Sequence, residues 1–286
     1  MLVSMREILE KAKKGRYCVG AFNVYNYETV SSVLKGANEL DSPVIVAFGE
    51  RYMKFIPIDL ISLIVKNLSR RYSIPIALHL DHAHSLETIR QAIREGFTSV
   101  MYDGSKLPFR ENVNITKEIV ELAHPLNVSV EAELGYVARA EELSAGEAEI
   151  KYYYTNPEEA KAFVSETGVD ALAIAIGNIH GLRARKKVVK LDLKLLDRIR
   201  KSCEIPLVLH GGSGVSYDEL KKAVNLGICK LNINTELSKS AVDEIRKTLK
   251  GSNESLRLEN LMVNALQAME RVVKFYVTLL GSKGKA

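Results

Sequence analysis

PVIVAFGERYMKFIPIDLISLIVKNLSRRYSIPIALHLDH, residues 43–82, passes from a short apolar run through a helical pattern into a second apolar run. PVIVAFG (43–49) is bounded by Pro43 and Gly49 and is too short for a typical helix, so it reads as a strand buried on both faces. In DLISLIVKNL (59–68) apolar residues recur three and four apart, the spacing of one helix face. PIALHLD (75–81) is a second strand, which continues into His82. Strand, helix, strand in this order implies parallel pairing through a right-handed crossover.

The unit recurs outward in both directions. Further apolar runs are YCVGAFN (17–23), TSVMYDG (98–104), VSVEAEL (128–134), ALAIAIG (171–177), PLVLHGG (206–212) and ICKLNIN (228–234). Helical patterns such as SLETIRQAIREGF (85–97) and DLKLLDRIRK (192–201) separate them. Asn156-Pro157-Glu158-Glu159 is a helix cap with proline at the first helical position. Ser216-Tyr217-Asp218-Glu219 is a capping box, and Gly227 closes that helix. Eight such units predict an α/β chain folded as a closed (β/α)8 TIM barrel, one domain spanning 1–286. RLENLMVNALQAMERVVKFYVTLLG (257–281) predicts a helical extension, from about residue 255, covering the barrel or a partner subunit. The N-terminal MLVSMREILEKAKKGR reads as a short amphipathic helix. The two longest connections, 135–155 and 181–191, follow strand C-terminal ends, where barrels carry their chemistry.

Composition narrows the class. The 286 residues are 47% hydrophobic and 26% charged, as in a soluble protein with a large core. No stretch approaches the ~20 apolar residues of a membrane span, and the N-terminal helix lacks the apolar centre of a signal peptide. Cys18, Cys203 and Cys229 are far apart and form no CxxC, which reads as reduced thiols in a cytoplasmic protein. Net charge is 40 − 35 = +5, scattered except for RARKKVVK (183–190), and tryptophan is absent. That pattern argues against nucleic acid and fits a small anionic substrate.

Three strand ends carry histidine. His82 ends the third strand, His180 follows the sixth and His210 ends the seventh, so all three reach the C-terminal rim. Three converging imidazoles are the donor set of a catalytic zinc, with Zn–N about 2.0–2.1 Å and one open position. The competing reading is three unrelated histidines satisfied by backbone carbonyls. Asp81, next to His82, projects in a different direction and reads as a proton acceptor or as a group orienting a ligand imidazole. His79 and His84 read as supporting residues.

Anion-binding signals adjoin these histidines. HGGSG (210–214) sets Gly211, Gly212 and Gly214 around Ser213, so that backbone N–H groups can cradle a phosphate. Gly181 repeats the theme after His180, and KLNINTE (230–236) offers Asn232, Asn234 and Thr235. Barrels commonly hold phosphate at their seventh and eighth strands.

With these motifs in hand, the chain resembles the class II, zinc-dependent ketose-1,6-bisphosphate aldolases, which include fructose- and tagatose-bisphosphate enzymes. The likeness runs through GAFNVYN (20–26), LHLDH (78–82), SVMYDGS (99–105), SVEAELG (129–135), YTNPEEA (154–160), IGNIHG (176–181), LVLHGGSG (207–214) and LGICKLNINTEL (226–237). The resemblance implies Zn2+ on His82, His180 and His210, with a monovalent cation as a further candidate. It implies that Asp81 handles the proton of the substrate C4 hydroxyl and Glu141 the proton at the dihydroxyacetone carbon. Asn23, Gly181, Gly211, Gly212, Ser213 and the run Asn232, Ile233, Asn234, Thr235 would contact the sugar phosphate. Asp103 and Glu133 would form an alternative, more buried metal position. A homodimer or homotetramer is also implied, with products dihydroxyacetone phosphate and glyceraldehyde 3-phosphate.

The chain departs from the family pattern in places. Ala138 and Arg139 stand where paired glycines are usual, Ala184 where fructose-specific members carry lysine, and Gly49 where relatives carry a hydroxyl residue. The expected substrate is fructose 1,6-bisphosphate, with tagatose 1,6-bisphosphate as the alternative favoured by Ala184. Three rivals remain: a Schiff-base aldolase using Lys230, a metal-dependent barrel hydrolase, and a non-catalytic sugar-phosphate-binding barrel.

Overall fold

The computed structural model describes residues 1–137, 153–179, 190–212, 214–251 and 256–286. In chain order they form α1 (Met5–Gly15), β1 (Val19–Asn23), α2 (Tyr27–Asn38), β2 (Val44–Gly49), α3 (Ile58–Ser69), β3 (Ile76–Ala83), α4 (Leu86–Arg94), β4 (Ser99–Tyr102), α5 (Phe109–Ala123) and β5 (Ser129–Leu134). There follow α6 (Pro157–Thr167), β6 (Ala171–Ile174), α7 (Leu193–Ser202), β7 (Leu207–Leu209), α8 (Tyr217–Asn225), β8 (Ile228–Ile233), α9 (Thr235–Gly251) and α10 (Leu258–Leu279). Every strand pairs in parallel with its sequence neighbours, and β8 returns to β1, closing the barrel. The (β/α)8 architecture expected from the repeated unit is the one observed.

Local chemistry starts the helices where the sequence signals stand. Asn156 accepts from the backbone N–H groups of Glu158 and Glu159, with Pro157 at the first position of α6. Ser216 accepts from Glu219 N at the start of α8. The C-terminal apolar periodicity resolves into one helix, α10, whose Val273 and Glu270 pack against Gly36 of α2.

Two apolar layers result. The outer one lies between strands and helices and includes Phe22, Phe48, Ile61, Leu78 and Phe163. The inner one fills the lower barrel with small residues (Ala21, Ala47, Ala77, Ala171, Ala173), plugged from below by Met5, Ile8 and Leu9 of α1. Burying such large side chains contributes about 1.5–3 kcal/mol each. The plug closes the N-terminal end and leaves the C-terminal end of the barrel for polar groups.

Candidate metal and proton-transfer site

Regular alternation along β3 would send Asp81 and His82 to opposite faces. Instead the pairing of β3 with β4 slips between Leu80 and Ala83, and His82 takes φ +48°. This bulge puts a non-glycine residue in the left-handed region, at a cost of about 1–3 kcal/mol. It brings ligand atoms of Asp81, His82 and His210 within 4.8 Å of one another. The divergence expected of adjacent strand residues is therefore overridden by a local register shift.

Hydrogen-bond partners assign the ring protons. His82 Nδ1 lies 2.8 Å from Asp103 Oδ2, while Asp103 Oδ1 accepts from Ser105 N at 3.2 Å and Ser105 Oγ at 2.6 Å. His210 Nε2 lies 2.9 Å from Glu131 Oε1. Both carboxylates are ionised: burial opposes this, but His82 and Ser105 hold Asp103 below the usual range, and Lys230 and His210 do so for Glu131. An ionised carboxylate only accepts, so each histidine spends a proton on its carboxylate. The remaining nitrogens, His82 Nε2 and His210 Nδ1, face each other at 2.8 Å. In neutral rings these would be two opposed lone pairs, an arrangement that calls for a positive charge, either a proton or a metal ion.

The surroundings supply that demand. Burial disfavours charge on His82, yet Asp81, Asp103 and Glu133 outweigh it and raise its pKa to about 9. Glu133 is buried, and among the described residues its Oε2 has no hydrogen-bond donor while lying 3.6 Å from His210 Nδ1 and 3.9 Å from His82 Nδ1. Burial first, then Asp103, push the Glu133 carboxyl up to about 8. His82, Asp103 and Glu133 form a second group whose ligand atoms lie within 4.8 Å. Imidazole nitrogens with carboxylate oxygens are a donor set for a divalent metal such as zinc. The residues present fit such an ion.

Asp81 is fixed from both sides. Asn23 Nδ2 donates to Oδ2 and Asn232 Nδ2 to Oδ1, each at 2.9 Å. Burial would raise its pKa, but the charges of His82, His210 and Lys230 hold it well below the carboxylate range. Asn232 Oδ1 is buried without a hydrogen-bond partner among the described residues. An oriented, ionised carboxylate beside a metal-competent pair is what proton abstraction requires.

The anion-binding end is partly described. Gly211 has φ +61°, and a Cβ at Gly212 would meet Leu231 Cδ1 at 2.8 Å, so neither position tolerates a side chain readily. Asn234 and Thr235 stand at the start of α9, whose first N–H groups favour an anion. Ile233 buries its side chain in the outer core, which leaves it only backbone groups to offer. His180, Gly181, Glu141 and Ser213 lie outside the described residues, as do Ala138, Arg139 and Ala184.

Two contributions go beyond the sequence reading: Asn178, and the pairing of Lys230 with Glu131. Asn178, buried between β6 and β7, donates to Ile174 O at 3.2 Å and His210 O at 2.9 Å and accepts from Ile176 N at 2.8 Å. Its place in GNIHG beside the histidine was the available signal. It is entered through Gly177, with φ +103° and a Cβ position 2.7 Å from Lys190 O. Gly177→Ala is expected to destabilise the fold by about 1–3 kcal/mol in urea unfolding.

The second contribution is a charged layer beneath the metal-competent pair. Lys230 Nζ donates to Glu131 Oε1 at 2.8 Å and Oε2 at 2.7 Å, and approaches His79 Nε2 at 3.4 Å. His79 Nδ1 pairs with Ser99 Oγ at 2.9 Å. Burial, and then the Lys230 charge, lower the His79 pKa from 6.5 to about 3. Below pH 6.5 the unfolded chain therefore binds a proton that the folded chain refuses until about pH 3. Stability from this group is complete above the unfolded value and drains away across that window. His79→Gln should reduce the loss of unfolding free energy between pH 7 and pH 5 by about 2 kcal/mol, measured by urea titration at both pH values.

A closed parallel barrel with imidazoles and carboxylates gathered at its C-terminal rim defines a metal-competent (β/α)8 protein. Its lineage follows from comparison: the family model "Fructose-bisphosphate aldolase class-II" matches residues 3–285. The chain belongs to the class II fructose-bisphosphate aldolase family, a family of aldolase lyases. The YdjI aldolase from Escherichia coli K12 is 35% identical, with TM-score 0.88 and full coverage of both chains, 100% each. A putative fructose-1,6-biphosphate aldolase from Coccidioides immitis is 29% identical, TM-score 0.84, covering 98% of this chain and 96% of that one. Fructose-bisphosphate aldolase from Campylobacter jejuni shares the fold at TM-score 0.84 and 24% identity, covering 100% and 97%.

Proposed function

We propose that this chain is a zinc-dependent aldolase that reversibly cleaves fructose 1,6-bisphosphate between C3 and C4, giving dihydroxyacetone phosphate and glyceraldehyde 3-phosphate. The observation that carries the reading is the 2.8 Å approach of His82 Nε2 to His210 Nδ1 beside the Asp81 carboxylate. His180 would complete the ligand set. A bound zinc ion would polarise the ketose carbonyl and offset negative charge developing at C3. Asp81, steadied by Asn23 and Asn232, takes the C4 hydroxyl proton as the bond breaks. Glu141 returns a proton to the dihydroxyacetone carbon. Gly181, Gly211, Gly212, Ser213 and the start of α9 hold phosphate through backbone N–H groups and hydroxyls.

The reading extends to a cytoplasmic homodimer or homotetramer acting in carbohydrate metabolism, with a monovalent cation as a further candidate cofactor. Among the described residues no helix is long and apolar enough to cross a membrane, and Cys18, Cys203 and Cys229 are free and buried. Against the Schiff-base rival, Lys230 is fully buried and both Glu131 oxygens hold its ammonium. A nucleophilic lysine must be neutral and reach the substrate. Tagatose 1,6-bisphosphate remains the second reading, on Ala184. The test assays both epimers before and after exhaustive chelation, with zinc added back. Loss and recovery of triose phosphate release support the proposal. Undiminished turnover by protein shown to be metal-free, or a borohydride-trapped adduct on Lys230, overturns it.

A further inference from the structure

We infer that Lys230 and Glu131 are a positioning pair that fixes the tautomer of His210 and aims its Nδ1 lone pair at the metal position. The inference deepens the metal-dependent reading and rests on it for the role of that lone pair.

The argument is a proton ledger through a layer with no access to water. His79, Ser99, Glu131, His210 and Lys230 are all completely buried. Ser99 Oγ approaches Met5 Sδ at 3.6 Å, so the hydroxyl proton has a weak acceptor there. That leaves Ser99 Oγ to accept from His79 Nδ1, at 2.9 Å. His79 then carries its proton on Nδ1 and presents a lone pair at Nε2, 3.4 Å from Lys230 Nζ. Lysine has three donors and no acceptor. Two go to the oxygens of Glu131, at 2.8 and 2.7 Å, and the third faces His79. Glu131, already bound to a cation, can only accept from His210 Nε2 at 2.9 Å. The proton of His210 is thereby placed on Nε2, and Nδ1 is left as an acceptor facing His82.

Each bond in this chain has one allowed direction, and reversing any of them leaves a buried group unpaired. Removing Lys230 would leave the Glu131 charge alone in the core, where an unpaired ion is costly. Replacing Glu131 by its amide would let an N–H face His210 and stabilise the opposite tautomer, with Nδ1 protonated and unable to bind a metal. Lys230 is fully buried, with its Nζ held by both Glu131 oxygens. It acts through Glu131 on His210, as carboxylate partners of metal-bound histidines generally do.

The test combines a tautomer measurement with a metal titration on the full chain. Long-range 1H–15N spectra of the metal-free protein, with His210 assigned by comparison with His210→Gln, should show His210 protonated at Nε2. In Glu131→Gln/Lys230→Met, which removes both charges together, Co2+ should bind about 10–100-fold more weakly, with altered visible d–d bands. Thermal unfolding by circular dichroism reports whether that variant folds. His210 protonated at Nδ1 in the parent overturns the inference whatever the variant does. A folded double variant with Co2+ affinity within twofold of the parent and unchanged bands also overturns it. A parent that binds no Co2+ refutes the metal-dependent reading, while the tautomer result still decides this one.

Discussion

His210→Ala is expected to abolish stoichiometric metal binding and to lower kcat/KM by at least about 10^3-fold. The magnitude follows from losing several kcal/mol of charge stabilisation that a metal provides in the transition state, at a factor of ten per 1.4 kcal/mol. His210 is completely buried, so the variant needs a folding control. It should keep the Lys230–Glu131 ion pair, since neither oxygen of Glu131 depends on His210 for its contact with Nζ. His82→Ala supplies the independent check. The His82 side chain is 26% exposed, and its removal opens no sealed cavity, so stability should change less than in His210→Ala. Loss of metal must nevertheless be equally complete if both nitrogens serve one ion. Metal content by plasma mass spectrometry, beside kinetics and circular dichroism, separates the outcomes. A folded variant of either histidine that retains one metal equivalent and the parental rate would remove the basis for a shared ion.

Much of this site was legible because its donors end apolar strands. A buried strand gains nothing from a terminal histidine, so His82 and His210 stood out against VIVAFG and LVL. The caps at Asn156 and Ser216 were legible for the same local reason, a side chain meeting a backbone N–H two or three residues on. What could not be read was anything set by register across the barrel. The slip between Leu80 and Ala83 depends on how β3 meets β4, and only that slip turns Asp81 and His82 toward one point. Lys230 was visible as a charge inside an apolar strand, but its partner Glu131 lies 99 residues earlier. Viewed singly, the lysine suggested a nucleophile. Paired, it is a counter-ion with no free electron pair. The even spacing of Glu131 and Glu133 within SVEAEL, with Ala132 between, was the signal that two carboxylates share the inner face of β5.

Asp81→Asn should lower kcat by about 10^2–10^4-fold, the range for loss of a positioned proton acceptor, while Co2+ affinity stays within a few-fold of the parent. That split distinguishes the two roles its position permits. Were Asp81 a ligand to the ion, affinity would fall with the rate. The variant also introduces a conflict, because Asn23 and Asn232 both donate to the native carboxylate, and an amide at 81 sets one N–H against another. Exchanging the partners, Asp81→Asn with Asn23→Asp, relieves it. The hydrogen bond between β1 and β3 is then retained with its direction reversed, and the total charge of the site is unchanged. If the carboxylate serves only to neutralise the site or to tie the strands, the exchange should restore most of the rate. If a base must stand at position 81 to meet the C4 hydroxyl, the rate stays low although stability and metal binding recover. Restoration of kcat to more than about a third of the parent in the exchanged protein would contradict proton transfer by Asp81, and would leave the carboxylate a structural strut between two strands.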